Sequence, residues 1–463
     1  MIKVLNQYFP GRLFVLLVTE NVLILMGIWA ALAFYVEDIR LSMFSYPLLL
    51  GKVLLITTVC QLCLYYADIY DLRNIGSKVE VLMRVMQALG FAAIVLAAIY
   101  FLAPRTRLGA GIVETSLLAI VLVILLWRVL VEWLNRTYGA GERVLLVGSG
   151  DAVVKLTREL SHRIDLPISV IGSVSEDEAE GALMVGVKKL GTLPNLAAII
   201  ETQRPDRLII ALKERRQQLP FDMLLKLRMR GLMIEEASSL YQKITGKIPV
   251  ESIHPSALIF SDGFQQRAFR RVLGRMVGLA GAALSLLLLG PVLLLVAVLI
   301  KLDSRGPALY KQTRVGFNGE PFQVLKFRSM RADAESASGP VWARQDDPRI
   351  TRVGRVLRKL RMDELPQLLN VLYGEMAFVG PRPERPHFVE RLKEQIPFYD
   401  LRHSLRPGIT GWAQVSCSYG ATVQESQDKL EFDLFYIKNS SLSFDCLILF
   451  QTIKIVLFGR GAR

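Results

Sequence analysis

The chain has 463 residues, enough for two or three domains, and 52% of them are hydrophobic. Its formal net charge at pH 7 is +14. In a chain this apolar, such a charge favours anionic headgroups and phosphorylated substrates over nucleic acid. The sequence also lacks zinc-ligand spacing and the aromatic signature of RNA-binding domains, so we expect no nucleic acid partner. Its four cysteines do not form a disulfide framework.

Four apolar runs occupy the first third of the chain, at about Leu13–Val36, Val53–Tyr66, Val81–Leu102 and Thr115–Leu134. Three of them approach the roughly 20 residues that a helix needs to cross a bilayer. The second is shorter and crosses only if Lys52 extends its ammonium group to the headgroups. The first run is too long for a cleaved signal peptide. Residues 1–140 are therefore predicted to form a four-helix transmembrane region.

The charges beside these runs indicate an orientation. Lys3 and Arg12 precede the first run, and acidic residues follow it. Basic residues prefer the cytoplasmic side, so the N-terminus is predicted inside, and four crossings return the chain to the cytoplasm. Arg105 and Arg107, between the third and fourth runs, favour the opposite orientation.

Residues 141–246 have a mixed composition that is typical of a small α/β domain. The segment RVLLVGSGDAVVKLTREL predicts a buried strand, a glycine turn and an amphipathic helix, and similar alternation follows. We therefore expect a Rossmann-like parallel sheet. The dinucleotide fingerprint is incomplete, because Gly148 and Gly150 are followed by Val153 at the third glycine position. A structural or regulatory role is favoured over a dinucleotide site.

Residues 247–266 are rich in proline and serine and are predicted to be a linker. A fifth apolar run follows at Val277–Ile300, about 24 residues or roughly 36 Å as a helix. Gly290 and Pro291 lie near its middle and are predicted to break or bend it. Basic residues flank both ends, which favours a helix that enters the membrane, bends and returns. A kinked crossing is the alternative.

Four segments of the C-terminal region resemble one family. They are, in chain order, IKLDSRGPALYKQTRVGFNGEPFQVLKFRSM, LRMDELPQLLNVLYGEMAFVGPRP, LRPGITGWAQV and KLEFDLFYIKNSSLSFDCLILFQTIKIVL. They resemble the bacterial sugar transferases, the monotopic polyprenyl-phosphate phosphoglycosyl transferases, from about Phe269 to Phe458. With four preceding crossings and an α/β domain, the chain is similar to the large, Wba-type subgroup that starts exopolysaccharide or O-antigen repeat units.

The resemblance implies a catalytic domain over residues 267–463, with a re-entrant helix broken at a proline that matches Pro291. Gly290 stands where the family often has serine. The implied reaction transfers a sugar 1-phosphate from a UDP-sugar to undecaprenyl phosphate and releases UMP. The resemblance also implies Mg²⁺, membrane lipids and a second copy of the chain in a homodimer as partners. The expected location is the bacterial inner (cytoplasmic) membrane, with the catalytic domain on the cytoplasmic face.

The stretch RKLRMDELPQLLN contains the adjacent carboxylates Asp363 and Glu364. Taken alone, it fits a helix start, because Asp is a good N-cap and Glu suits the first turn. In the family, the first carboxylate is the nucleophile and the second helps to hold Mg²⁺. A carboxylate that attacks a pyrophosphate meets like charge, so a cation and basic side chains are required. The resemblance adds candidate substrate-binding residues, namely Arg358, Arg382, Lys326, Arg328, Glu384 and Arg406.

Two other functions are alternatives. A membrane scaffold or sensor could bind a nucleotide sugar or polyprenyl phosphate without turnover, but an intact Asp363–Glu364 pair counts against it. A membrane nucleotide-sugar dehydratase would need a complete glycine fingerprint followed by a Tyr-x-x-x-Lys pair, and the α/β region has neither. For Trp412, stacking on a base, a position at the membrane surface and packing in the core all fit the sequence.

Overall fold

The computed structural model describes residues 2–4, 7–9, 11–35, 49–70, 78–108, 111–138, 141–148, 151–163, 166, 168–175, 187–211, 220–251, 263–264, 268–331, 347, 349–417 and 422–458. They are mostly helical, with one parallel α/β sheet and five helices long and apolar enough to cross a membrane. Apart from the first few residues, the chain divides into two compact units, Tyr8–Ala237 and Ser238–Arg463.

The chain begins with two short paired strands, and four long helices of the first unit follow. The elements are β1 (Ile2–Val4), β2 (Gln7–Phe9), α1 (Gly11–Tyr35), α2 (Leu49–Tyr66), α3 (Lys78–Leu102) and α4 (Ile112–Tyr138). Each helix contains one candidate span, so the four predicted apolar helices are confirmed as helices. Helices α1 and α3 each pack against both α2 and α4.

A buried polar network lies among these helices. Glu20 of α1 is fully buried and pairs with Arg128 of α4 at 2.8 Å. The Tyr70 hydroxyl donates to the other carboxylate oxygen, and Gln61 donates to that hydroxyl at 2.9 Å. An ionised side chain is costly in an apolar environment unless it is paired. The network therefore fixes α1 against α4 and holds the turn that follows α2.

The sheet of the first unit has the order β5-β4-β3-β6-β7, with all strands parallel. Its strands are β3 (Glu142–Val147), β4 (Ile168–Ser175), β5 (Lys189–Thr192), β6 (Arg207–Ile210) and β7 (Met233–Glu236). Its helices are α5 (Asp151–His162), α6 (Leu196–Gln203) and α7 (Phe221–Met229). Counted from β3, this is the order 3-2-1-4-5, which is the doubly wound order without its sixth strand, so the predicted parallel α/β architecture is confirmed.

The turn after β3 has the first glycine of the dinucleotide fingerprint but a valine at the third glycine position. Gly148 has a positive φ of 119°, as a tight turn requires, while Gly150 lies outside the described residues. Val153, at the third glycine position, is fully buried in α5. Its side chain fills the space that a glycine would leave for close packing of helix on strand.

Helix α8 (Ala237–Thr245) begins directly after β7, and the second compact unit begins at Ser238. The end of the predicted α/β domain thus belongs with the C-terminal unit. Trp412 donates its indole N–H to the Gly246 carbonyl at 3.0 Å, and Lys247 pairs with Asp428 at 2.9 Å. Most of the predicted linker at 247–266 lies outside the described residues.

The fifth apolar helix, α9 (Ala268–Asp303), has 36 residues and is therefore about 54 Å long. It is helical on both sides of Gly290 and Pro291, so the predicted break or bend falls inside the helix and not at a helix end. The physical reason is that proline removes one backbone donor and bends a helix without having to end it.

The second unit contains further helices and strands. They are β8 (Leu309–Val315), β9 (Pro321–Phe327), α10 (Arg352–Lys359), α11 (Gln367–Tyr373), β10 (Ala377–Val379), α12 (Pro386–Gln395), β11 (Gly408–Thr410), α13 (Trp412–Ser416), α14 (Val423–Asn439) and α15 (Leu442–Phe458). Strands β8 and β9 form an antiparallel hairpin. Trp412 packs edge-on against Phe432 and Phe444, which identifies it as a core residue.

Candidate active site

The two adjacent carboxylates lie in a short turn between two helices. Helix α10 is capped by Thr351, whose hydroxyl accepts from the Gly354 amide at 3.0 Å. After α10 the chain reverses through Arg361, which has a positive φ of 58°, and forms a 3₁₀ turn that contains Asp363 and Glu364. Helix α11 starts only at Gln367, with no side-chain cap. The expected Asp363 N-cap is therefore wrong, because the 3₁₀ turn separates Asp363 from α11.

Glu364 is the centre of a buried cluster of charges. Lys326 of β9 donates to one carboxylate oxygen at 3.1 Å. Arg382, in the loop after β10, donates to the same oxygen through one nitrogen and to the second oxygen through the other at 3.3 Å. The three motifs KFRSM, MDEL and GPRPE, far apart in sequence, thus meet at one side chain.

The neighbouring carboxyls experience opposite environments. Burial alone would raise the pKa of Glu364, but Arg382 and Lys326 outweigh burial and hold that pKa well below its usual range. Burial, and then the adjacent Glu364 carboxylate, raise the pKa of Asp363. Among the described residues, no donor forms a hydrogen bond to Asp363. Glu364 is thus stabilised as an anion, whereas Asp363 is a more basic carboxylate.

Arg358 supplies an unused donor beside Asp363. It lies in the last turn of α10, and its positive charge acts on Asp363 and offsets part of the rise in that carboxyl's pKa. Its Nη1 atom is buried and has no hydrogen-bond partner among the described residues. A buried guanidinium N–H without an acceptor is costly, and a phosphate oxygen is the acceptor that suits it best. The geometry therefore fits an anion bound between Arg358 and Asp363.

A short parallel pair of strands places Arg382. Ala377 pairs with Gly408 and Val379 with Thr410, and the Gly380 amide donates to the Thr410 carbonyl at 2.9 Å. A Cβ at Gly380 would collide with the backbone carbonyl that precedes β11, so only glycine allows this approach. Backbone hydrogen bonds thus join the motifs FVGPRP and RPGITG. This pairing positions the loop that carries Arg382.

Arg314 is a residue of this site that sequence reasoning missed, because it was counted only among the basic residues flanking the apolar helix. It donates to the Pro383 carbonyl at 3.1 Å and to the Glu384 carboxylate at 3.4 Å. Burial lowers the pKa of Arg314 to about 10. The alternation of side chains along a strand was the sequence signal that could have grouped Arg314 with Gln312, because both lie on the same face of β8. In the structure, Arg314 donates to the Gln312 side chain at 2.6 Å.

Arg328, a predicted substrate-binding residue, holds the end of the fifth apolar helix. Its buried guanidinium donates to the Ser304 carbonyl at 2.8 Å and to the Arg305 carbonyl at 2.9 Å. These carbonyls follow the end of α9, where helix carbonyls lack internal partners and a positive charge is favoured. Arg328 therefore fastens the end of α9 to β9. Its Nε atom has no hydrogen-bond partner among the described residues, and the predicted substrate contact of Arg328 stays a prediction.

Arg406 lies against a different neighbour. Its guanidinium is 5.8 Å from the ring centroid of Phe317, in the turn between β8 and β9. Its charge also acts on Arg275 of α9. No contact of Arg406 with Asp363, Glu364 or Arg382 occurs among the described residues, so its predicted substrate contact stays a prediction.

The carboxylates of this site fit a metal ion that is held jointly by the protein and a substrate, and not one held by protein ligands alone. Among the residues that the structure describes, no group of three or more His, Cys, Asp or Glu side chains could hold a metal ion. Asp363 and Glu364 offer adjacent carboxylate oxygens, the hard ligands that Mg²⁺ prefers. Mg²⁺ is commonly held by one or two carboxylates together with substrate phosphates. The site is therefore compatible with Mg²⁺ that arrives with a phosphorylated substrate.

Two family models match the chain. One, described as bacterial sugar transferase, covers residues 269–459, which include every residue of the charge cluster. The other, described as a CoA-binding domain, covers residues 65–235.

Several curated proteins are similar in sequence. The UDP-N-acetylgalactosamine-undecaprenyl-phosphate N-acetylgalactosaminephosphotransferase of Aeromonas hydrophila is 43% identical over 48% of this chain and 52% of its own length. The undecaprenyl-phosphate glucose phosphotransferase of Komagataeibacter xylinus is 35% identical over 69% of this chain and 60% of its own length. The alignments thus span about half of these two relatives. The exopolysaccharide production protein PSS of Rhizobium leguminosarum bv. phaseoli is 45% identical over 39% of this chain and 94% of its own length.

The opposite environments of the two carboxyls predict opposite effects on stability. Asp363→Asn should stabilise the protein at pH 7, because it removes a buried anion that lacks a hydrogen-bond donor. Glu364→Gln should destabilise it by about 1–3 kcal/mol, because Lys326 and Arg382 lose their carboxylate. Thermal unfolding in detergent measures both, with Asp400→Asn, at an exposed carboxyl, as the control.

The pH dependence has a definite sign. A carboxyl whose pKa is raised by folding opposes folding when ionised, and this penalty disappears as pH falls through the raised pKa towards the ordinary value of about 3.9. The stability gap between wild type and Asp363→Asn should therefore narrow from pH 7 downwards. A gap that widens on acidification, or an Asp363→Asn variant as unstable as Glu364→Gln, would contradict the assignment.

Proposed function

The chain belongs to the bacterial sugar transferase family, and we propose that it transfers a sugar 1-phosphate from a UDP-sugar to undecaprenyl phosphate, releasing UMP. One observation carries the proposal. A basic carboxylate, Asp363, is adjacent to a second carboxylate held by Lys326 and Arg382, and it feels the charge of Arg358, whose Nη1 donor has no partner among the described residues. The printed names of the relatives, which refer to undecaprenyl phosphate and to exopolysaccharide production, support this substrate class and the start of exopolysaccharide assembly.

The proposed reaction has two displacements at one phosphorus atom. In the first, a carboxylate oxygen of Asp363 attacks the phosphorus that bears the sugar, and the bond from this phosphorus to the UMP oxygen breaks. UMP leaves, and the sugar phosphate remains on Asp363 as an acyl phosphate. In the second, a phosphate oxygen of undecaprenyl phosphate attacks the same phosphorus and releases the Asp363 carboxylate. A water-soluble donor and a lipid acceptor can then use one pocket in turn.

The basic side chains explain how an anion can attack a dianionic pyrophosphate. The raised pKa makes Asp363 a better nucleophile than an ordinary carboxylate. The charge of Arg358 acts on Asp363, and its Nη1 atom has no hydrogen-bond partner among the described residues. Lys326 and Arg382 act on Asp363 as well and bind the adjacent Glu364. Glu364 and donor phosphate oxygens would hold Mg²⁺, which supplies neutralisation of the pyrophosphate charge. Cations preorganised in a buried site stabilise the charge that develops on the departing UMP.

We further propose that α9 is re-entrant, so that the catalytic unit lies on the cytoplasmic face of the inner membrane. Two contacts far apart on α9 support this arrangement. Near its start, Arg275 donates to the Leu372 carbonyl of α11 at 2.8 Å, and just after its end Ser304 accepts from Arg328, the residue that follows β9. Strand β9 and helix α11 are themselves joined by the Leu325 amide and the Asn370 side chain at 3.0 Å.

The apolar packing of α9 agrees with these contacts. Ala282 packs in one cluster with Leu368 and Val371 of α11, and Ile300 packs in another with Phe327 of β9. Elements that carry the polar site thus follow α9 from its first turns to its end. A helix that simply crossed the bilayer would have lipid or other spanning helices, and not these elements, around both halves of its length.

The reaction is tested by identifying the released nucleotide. Purified protein is given undecaprenyl phosphate, Mg²⁺ and a panel of UDP-sugars, and UMP is separated from UDP. We expect UMP from at least one donor and a loss of about 10³-fold or more in Asp363→Asn, because the nucleophile is removed. Lys359→Met, at an exposed position of α10, is the matched control and should be as active as wild type. Release of UDP would indicate ordinary glycosyl transfer, and no nucleotide from any donor would favour a scaffold.

The topology is tested with single cysteines in a background lacking the four native ones. If α9 is re-entrant, cysteines at the exposed positions Phe269 and Leu302 should react with an impermeant maleimide from the same membrane face. The control pair is Val79 and Leu102, at the ends of α3, which should react from opposite faces. Labelling of the α9 pair from opposite faces would establish a crossing and contradict the proposal.

A further inference from the structure

The loop Gly380–Glu384, here called the GPRPE loop, carries Arg382 into the charge cluster. Two of its five residues, Pro381 and Pro383, have no backbone N–H and cannot anchor the loop as donors. The loop is instead anchored through its carbonyls. Four consecutive carbonyls, from Pro381 to Glu384, each accept a hydrogen bond from another part of the second unit.

The two outer carbonyls are held by backbone amides. The Gly408 amide of β11 donates to the Pro381 carbonyl at 3.0 Å, and the Val315 amide of β8 donates to the Glu384 carbonyl at 2.9 Å. These bonds fix where the loop begins and ends. They leave the two inner carbonyls, those of Arg382 and Pro383, to be oriented by side chains.

Arg402 holds the first inner carbonyl. It is only 5% exposed and donates to the Arg382 carbonyl at 3.0 Å. Its own position is fixed by an ion pair with Asp433 of α14 at 2.9 Å and by a hydrogen bond to the Tyr399 hydroxyl. Asp433 and Tyr399 thus fix the direction in which the buried Arg402 side chain donates to the loop.

Arg314 holds the second inner carbonyl. It donates to the Pro383 carbonyl at 3.1 Å, and its other nitrogens are occupied by Gln312 at 2.6 and 3.1 Å. The Glu384 carboxylate, 3.4 Å away, partly balances its charge. Arg314 and Arg402 therefore bind adjacent carbonyls of one loop from β8 and from the turn before β11, respectively.

We propose that Arg402 and Arg314 form a clamp that positions Arg382 for the reaction. The inference rests on the proposed function, because the task of Arg382 is to bind Glu364 and the donor phosphates. With both inner carbonyls drawn into buried guanidinium groups, the loop backbone has one orientation, and the Arg382 side chain is directed to Glu364. Neither clamp residue hydrogen bonds to Asp363 or Glu364 in the described part of the chain, so each acts through Arg382. Small errors in the position of such a group cost large factors in rate.

The clamp predicts a specific kinetic pattern in single variants. Arg402→Lys and Arg314→Lys keep the positive charge but lose the planar pair of donors that binds a carbonyl together with a second acceptor. Each should lower kcat about 10-fold or more and change KM for the UDP-sugar less than threefold, because the aim of Arg382 matters most in the transition state. The control is Arg207→Lys, which alters an ion-paired, mostly buried arginine of the α/β sheet and should leave both constants unchanged.

A double-variant cycle separates positioning from general damage. In an Arg382→Ala background, where there is no guanidinium left to aim, adding Arg314→Lys or Arg402→Lys should lower kcat less than twofold further. A full additional 10-fold loss in that background would overturn the proposal. If Arg402→Lys does not fold, Arg314→Lys completes the cycle alone, because that arginine is partly exposed and is not in the Asp433 ion pair.

A second measurement does not depend on turnover. Hydrogen exchange of the Val315 and Gly408 amides reports the loop directly, since these amides donate to its outer carbonyls. Both amides should exchange faster in the two lysine variants and at the wild-type rate in Arg207→Lys. Unchanged exchange in the lysine variants would overturn the clamp even if the wild type releases UMP. Wild-type protein without turnover on any donor would instead refute the proposed function, and the exchange rates would still decide the clamp.

Discussion

The carboxylate of Glu364 and the two cations that bind it are the constraint on which the second unit depends. Each of the three charges is mostly buried, and a buried charge is tolerated only when it is paired. Lys326 comes from a hairpin, Glu364 from a turn between helices, and Arg382 from a loop after a short strand. The pairing therefore requires that these three parts of the chain meet, and it sets Asp363 beside them with a raised pKa.

Other contacts of the second unit hold the parts of the chain that carry Lys326, Glu364 and Arg382 in place. The end of α9 is fastened to β9 by Arg328, one residue beyond the strand that carries Lys326. The β10–β11 pair and its glycines bring the GPRPE loop to the cluster, and Arg314 and Arg402 hold the carbonyls of that loop. Membrane helix and catalytic loop are thus linked through short polar contacts. This linkage suits the proposed reaction, whose acceptor is a lipid and whose donor is dissolved in water.

Much of this organisation could be predicted from the sequence, because the signals are local. Apolar length identified the five long helices, and the alternation of buried strands with amphipathic helices identified the parallel sheet. The grouping of Asp363, Glu364, Lys326, Arg358 and Arg382 came from resemblance to a family and not from spacing. The structure brings these residues together, although their chemical roles are still proposals.

Other features could not be predicted because they depend on tertiary neighbours. Nothing local distinguishes Arg328, which caps a helix end, from Lys326 two residues earlier, which binds Glu364. In the sequence, Arg314 is one of several basic residues beside an apolar run. Only the folded hairpin brings its guanidinium to the Pro383 carbonyl, to which it donates. Pro291 was predicted to break or bend the fifth apolar run, and the helix continues through it. Asp363 suited an N-cap, yet the positive φ of Arg361 creates a separate turn before α11.

The covalent role of Asp363 is the central claim, and it can be tested directly by mass spectrometry. Wild-type protein is mixed with Mg²⁺ and the UDP-sugar that supports UMP release, without undecaprenyl phosphate, and is quenched and digested. The account predicts one sugar phosphate on the peptide that contains Asp363, absent in Asp363→Asn and lost when undecaprenyl phosphate is added before the quench. UMP release that proceeds only when both substrates are present, with no adduct at any time, would contradict it, as would an adduct that persists in Asp363→Asn.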